Sequence, residues 1–212
     1  KLEYNFQFNN QKIKISSPNN KNTNFNIQGN IQLKPFYFNG SLMIKNKKIE
    51  KIIDNFLLNL ILYNENYLGN LNGLFNIIFD KLDNKLIKKG EINLIIDEKK
   101  IDIKQAKFIL DKIGYINSII SFEEDEGEKK FITKNQLTIE NHIEFAKLFQ
   151  IGSNKVKSIK KIHFDLEKNY GQTDFIIKNV KINDGQRNLK SEDIFFVKNI
   201  QNLRSYIRNL IN

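Results

Sequence analysis

Over most of this chain apolar and polar residues alternate one by one, the pattern of β-strands with one buried and one wet face. Leu2, Tyr4, Phe6 and Phe8 alternate with Glu3, Asn5, Gln7 and Asn9. The same beat returns at Ile13 and Ile15, Phe25 and Ile27, Ile31 and Leu33, Phe36 and Phe38, and Leu42 and Ile44. It continues through Phe75, Ile77 and Phe79, then Ile92, Leu94 and Ile96, then Ala106, Phe108 and Leu110, and on from Ile116 to Phe122. Ile162, Phe164 and Leu166, Phe175 and Ile177, and Ile194 and Phe196 carry it through the last third. Turn-forming pairs punctuate these runs at Asn9-Asn10, Asn39-Gly40, Asn72-Gly73, Asp83-Asn84, Asp97-Glu98, Glu126-Gly127 and Asp184-Gly185,. The expectation is a mainly β chain with a few helices: a long, twisted antiparallel meander. The phase slips between Ile103 and Ala106, and again between Ile177 and Val180, as an extra residue at a β-bulge would make it,.

Three segments depart from period two. Between 47 and 63 the apolar positions 49, 52, 53, 56, 57, 60 and 61 have amphipathic-helix spacing,. A shorter helix is expected over 141–150, with Ile143, Ala146 and Phe149 on one face, and a terminal one over 199–211. In the terminal helix Ile200, Leu203, Ile207 and Leu210 point inward and Arg204 and Arg208 outward. Strands fill 1–45, 71–139 and 155–198, so residues 1–212 read as one continuous body without a linker. The chain opens Lys-Leu-Glu, which suggests an excerpt of a longer protein,.

Composition narrows the chemistry. With no Cys there is no disulfide, thiolate metal site or cysteine nucleophile,. The formal net charge of +10 suggests an anionic partner, but 35 Ile, 32 Asn and 31 Lys against 2 Ala and 3 Arg indicate an AT-rich coding sequence in which Lys is default polar filler,. Arg, the residue best suited to phosphate and guanine, is nearly missing, which argues against nucleic acid. His142 and His163 stand far apart, and neither belongs to a two-His zinc motif,. The acidic run Glu123 to Glu126 lacks the ligand spacing of a calcium loop and reads as a hairpin tip,. Lys doublets at 47–48, 88–89, 99–100, 129–130 and 160–161 read as solvated edges,. No nucleophile elbow, phosphate loop or dinucleotide fingerprint occurs, so neither an enzyme nor a cofactor is expected,.

The positive signal is the apolar face of the sheet. Three short helices cannot cover a dozen strands, so part of that face is expected to form a groove for a ligand such as a phospholipid acyl chain. Its expected lining is Ile92, Leu94, Ile96, Phe108, Leu110, Ile116, Ile120, Phe122, Phe164, Phe175 and Ile177. The alternative is a structural or adhesive β-domain in which the same residues close into a core. The stretch from Gly90 through Asp97, Ile101 to Phe108 and Gly114 to Ile120, with the closing run from Phe195 to Arg204, resembles the repeating strands of AsmA-like proteins. That resemblance implies a non-enzymatic β-groove in the periplasm of a double-membrane bacterium, moving phospholipid toward the outer membrane. It also implies an inner-membrane anchor in a segment outside this sequence.

Overall fold

The computed structural model describes residues 4–17, 24–45, 72–84, 86–97, 100–125, 128–169, 175–183, 195–197 and 200–211. Strands β1 (Asn5–Asn9), β2 (Lys12–Ser16), β3 (Phe25–Leu33), β4 (Phe36–Lys45), β5 (Gly73–Asp80) and β6 (Ile87–Asp97) precede β7 (Lys100–Leu110), β8 (Gly114–Asp125) and β9 (Glu128–Ile139). Helices α1 (His142–Phe149) and α2 (Ser153–Val156) follow, then β10 (Lys161–Asn169), β11 (Phe175–Ile182), β12 (Phe195–Val197) and α3 (Ile200–Ile211). The twelve strands form one mainly antiparallel sheet, hydrogen-bonded in chain order. The helix expected over 47–63 lies outside the described residues. So do all or part of the turn pairs at 97–98, 126–127 and 184–185.

One pairing is parallel: β4 runs beside β5, with Phe38 opposite Gly73 and Ile44 opposite Phe79. Parallel neighbours need a long connection back to the starting end, and residues 46–72 supply it. Asn39-Gly40 is not a turn. It lies within β4, where Gly40 stands opposite Gly29, and the chain reverses instead at Lys34-Pro35. The pair of glycines makes room for an aromatic ring: a Cβ on Gly40 would lie 2.5 Å from Phe38 Cζ. Asn72-Gly73 likewise leads straight into β5.

The chain forms two compact units, Lys1–Phe108 and Ile109–Asn212. In the first, register carries the inward residues of each strand onto one face. Phe6, Ile15, Gly29, Gly40, Phe75 and Leu94 form one row across β1 to β6. Ile27, Leu42, Ile77 and Ile92 form a second, and Phe25, Ile44, Phe79 and Gly90 a third. Ile77, Phe79, Ile92 and Leu94 are fully buried and make the core of this unit. The Phe108 ring stacks on Phe79 with centroids 6.3 Å apart and covers Gly90.

In the second unit, Ile116, Leu137, Ile162 and Ile182 share a row, as do Ile120, Thr133, Leu166 and Ile177. The phase slip at 177–180 is a β-bulge: His163 faces Lys181 but Asp165 faces Lys178, and Asn179 adopts φ 53°,. Helix α1 starts where Asn141 Oδ1 accepts the backbone N–H of Ile143 and Glu144, and ends at Gln150 in the left-handed conformation,. Its buried side is Phe145, Ala146 and Phe149, the two rings 4.6 Å apart, whereas Ile143 is exposed. The expected Ile143 face is therefore displaced, because the i, i+4 phenylalanines, in contact with rings tilted by 42°, fix which side turns inward,. Residues 153–156 begin a helical turn rather than a strand, and Val156 is buried there. Of α3, Tyr206, Ile207 and Ile211 are buried.

A Cβ on Gly90 would lie 2.6 Å from Phe108 Cδ1. Gly90→Ala should therefore destabilise the fold by about 1–3 kcal/mol through overpacking, although an open strand position gains up to about 1 kcal/mol from the same change. Denaturant titration of Gly90→Ala, Phe108→Ala and the double variant should show the double less destabilised than the sum of the singles.

Candidate binding face

The apolar face of the first unit is closed at one side and open at the other. Along its second row burial is near complete from Leu42 to Ile92. Toward β1 the exposure rises, to 56% at Phe6 and 75% at Phe8, with Phe25, Leu33 and Phe36 also exposed. Phe8, Ile13, Ile31 and Phe38 stand opposite one another on β1 to β4, so the open part is a contiguous aromatic and branched-aliphatic surface. Large exposed apolar patches of this kind mark binding surfaces far more often than scattered single residues do. The opposite face carries Lys12, Lys14, Gln28, Asn30, Asn39 and Ser41.

The residues expected to line a groove divide by burial. Ile92, Leu94, Leu110 and Ile177 belong to the cores of their units, Ile92, Leu94 and Ile177 at 1% exposure each. Ile96 and Phe108 in the first unit, and Ile116, Ile120, Phe164 and Phe175 in the second, are half-buried. The Phe122 side chain lies outside what is described, though its backbone pairs with Phe131. The open part of the first face, Phe6, Phe8, Phe25, Leu33 and Phe36, was not singled out from sequence. Alternation marks which face is apolar, but not which part of it the fold leaves uncovered.

The second unit hides a polar cluster that sequence reasoning missed. Ser118, Thr133 and Asn135 are buried on the same face as Ile116, Ile120 and Leu137. Ser118 Oγ donates to Asn135 Oδ1 at 2.7 Å, and Asn135 Nδ2 donates to Thr133 Oγ1 at 2.7 Å. The same Nδ2 lies 3.2 Å from the carbonyl oxygens of Thr133 and Phe164. The network contains no imidazole or carboxylate to take a proton from the hydroxyl, so it is a structural clasp across β8, β9 and β10. A two-residue slip of β9 would set Asn135 against an isoleucine and leave its amide unpaired, a costly outcome in a buried site. The visible signal was Thr133 and Asn135 occupying inward phase between Phe131 and Leu137.

Charge lies on the other face of this unit. Lys134, Asp165 and Lys178 stand side by side, Lys178 Nζ is 2.6 Å from Glu167 Oε2, and Asn179 Nδ2 donates to Asp165 at 2.8 Å. His163 lies in the row of Gln136 and Lys181. The aromatics Phe131, Phe164 and Phe175 occupy the opposite face, where the Lys168 ammonium lies 5.1 Å from the centroid of the Phe175 ring,. On α1, the Lys147 ammonium bonded to Glu144 holds that half-buried carboxyl below its ordinary range. Among the described residues no three His, Asp or Glu side chains gather where they would hold a metal ion.

Asn135→Leu should destabilise by about 1–3 kcal/mol, since it leaves the Ser118 hydroxyl buried and unpaired. The triple variant Ser118→Ala, Thr133→Val, Asn135→Leu should recover most of that loss, because it removes donors and acceptors together. Thermal and chemical unfolding of the two variants checks the difference. No protein-family model matches this sequence, and no curated protein matches it.

Proposed function

We propose that this chain is a non-enzymatic lipid-binding β-segment that holds acyl chains against the open apolar face of its first unit. The observation that carries the reading is the graded exposure of one register-aligned face, buried at Ile77 and open at Phe6 and Phe8. Each methylene taken from water by such a surface is worth about 0.8 kcal/mol, so a few seated carbons give useful affinity. A shallow surface without deep polar anchors also lets a chain slide, which suits transport better than storage. The resemblance to AsmA-like proteins supports a setting in the bacterial periplasm, with phospholipid moved toward the outer membrane by a protein anchored in the inner membrane. The complete burial of Ile92, Leu94 and Ile177 favours the second reading, a structural or adhesive β-domain closed on itself.

Photo-crosslinkers installed at Ile13 and Ile31 should capture phospholipid from vesicles, while those at Lys14 and Asn30, on the opposite face, should not. Phe38→Asp should lower that capture several-fold by setting a charge among the apolar rings. Equal capture from both faces would leave the structural-domain reading standing.

A further inference from the structure

The outer edge of β1 is unlike an edge that proteins protect. Among the described strands β1 pairs on one side only, with β2. Its free side carries no Lys, no Pro and no bulge, the usual devices against edge-to-edge pairing,. The sequence of β1, Asn5-Phe6-Gln7-Phe8-Asn9, reads the same in both directions. We propose that two copies of this chain associate by antiparallel pairing of β1 with β1 about a two-fold axis through Gln7, joining their sheets edge to edge.

Backbone hydrogen-bonding phase supports this register. Ser17 donates to the Ile27 carbonyl and Leu33 to the Gln11 carbonyl, so the odd residues of β2 bond toward β3. Because direction alternates residue by residue in an antiparallel ladder, Lys12, Lys14 and Ser16 bond toward their β1 partners Asn9, Gln7 and Asn5,. The N–H and C=O groups of Phe6 and Phe8 are thereby turned to the free side. Pairing about Gln7 sets Phe6 opposite Phe8 of the second copy, and Phe8 opposite its Phe6, which are the residues whose backbone groups await partners. Four main-chain hydrogen bonds then form. Asn5 meets Asn9, Gln7 meets Gln7, and no position sets like charges together. A two-fold axis normal to the sheet also keeps faces matched, so the exposed Phe6 and Phe8 rings of both copies meet on one side,. The same pairing of β2 about its central residue would set Lys14 opposite Lys14. A second copy is thus the occupant this edge fits. The inference does not depend on what the apolar face binds.

A contact between two five-residue edges is slight beside a standard interface of about 1,600 Å², so the dimer should be weak and concentration-dependent,. Sedimentation equilibrium of the 212-residue chain, run up to about 1 mM, should show monomer passing to dimer. Phe8→Pro removes a donor turned to the free side together with the exposed ring that meets the second copy, and should weaken the dimer at least about tenfold with the melting temperature little changed,. Gln7→Lys and Gln7→Glu should each abolish self-association, since the like charges face each other in the close non-hydrogen-bonded pair, and an equimolar mixture should restore it. A chain that stays monomeric throughout overturns the proposal. So does a dimer insensitive to Phe8→Pro and to both charge variants.

Discussion

Strand register is what the rest of this structure depends on. A one-residue slip in any pairing moves every side chain of that strand to the other face, so a common apolar face across β1 to β6 exists only because five successive pairings agree in phase. They do so across a change in direction, since β4 and β5 run parallel while their neighbours run antiparallel. Burial then follows: Leu42, Ile77 and Ile92 lie side by side and exclude water together.

Each unit pins its register in its own way. In the first, the sheet uses size: Gly29 and Gly40 lie under the Phe38 ring and Gly90 under the Phe108 ring, where an added Cβ would come to 3.0, 2.5 and 2.6 Å of a ring carbon respectively. In the second it uses polarity, through Ser118, Thr133 and Asn135, whose donors and acceptors close on one another inside an otherwise apolar face. Neither device adds much net stability. Each makes the wrong alignment expensive, by clash or by an unpaired amide.

Local features were legible in the sequence and long-range ones were not. Period two located the strands, and the break in phase at 177–180 located a bulge, because both depend on neighbours along the chain. Asn141 and the αL residue Gln150 bound α1 within the expected 141–150. The reading failed where a partner from elsewhere decides. Asn39-Gly40 looks like a turn until Gly29 is seen opposite it. Ile143 looks inward until the Phe145 and Phe149 pair claims that side. The parallel β4–β5 pairing carries no local mark at all. For the candidate face, alternation identified its residues correctly as one-sided, but which rows are covered depends on tertiary packing, and Ile92 and Leu94 are core while Phe6 and Phe8 are open.

The claim that most needs testing is that one face of the first unit runs from closed to open along its rows. Because the chain has no Cys, any introduced thiol is alone. Thiol-labelling rates for Phe6→Cys, Ile15→Cys, Phe75→Cys and Leu94→Cys, four positions on one row, measure that gradient directly. The rates should fall in that order, with Leu94→Cys labelled only as fast as the unit opens. A Leu94→Cys thiol that reacts as quickly as one at Phe6 would contradict the graded face and the binding surface derived from it.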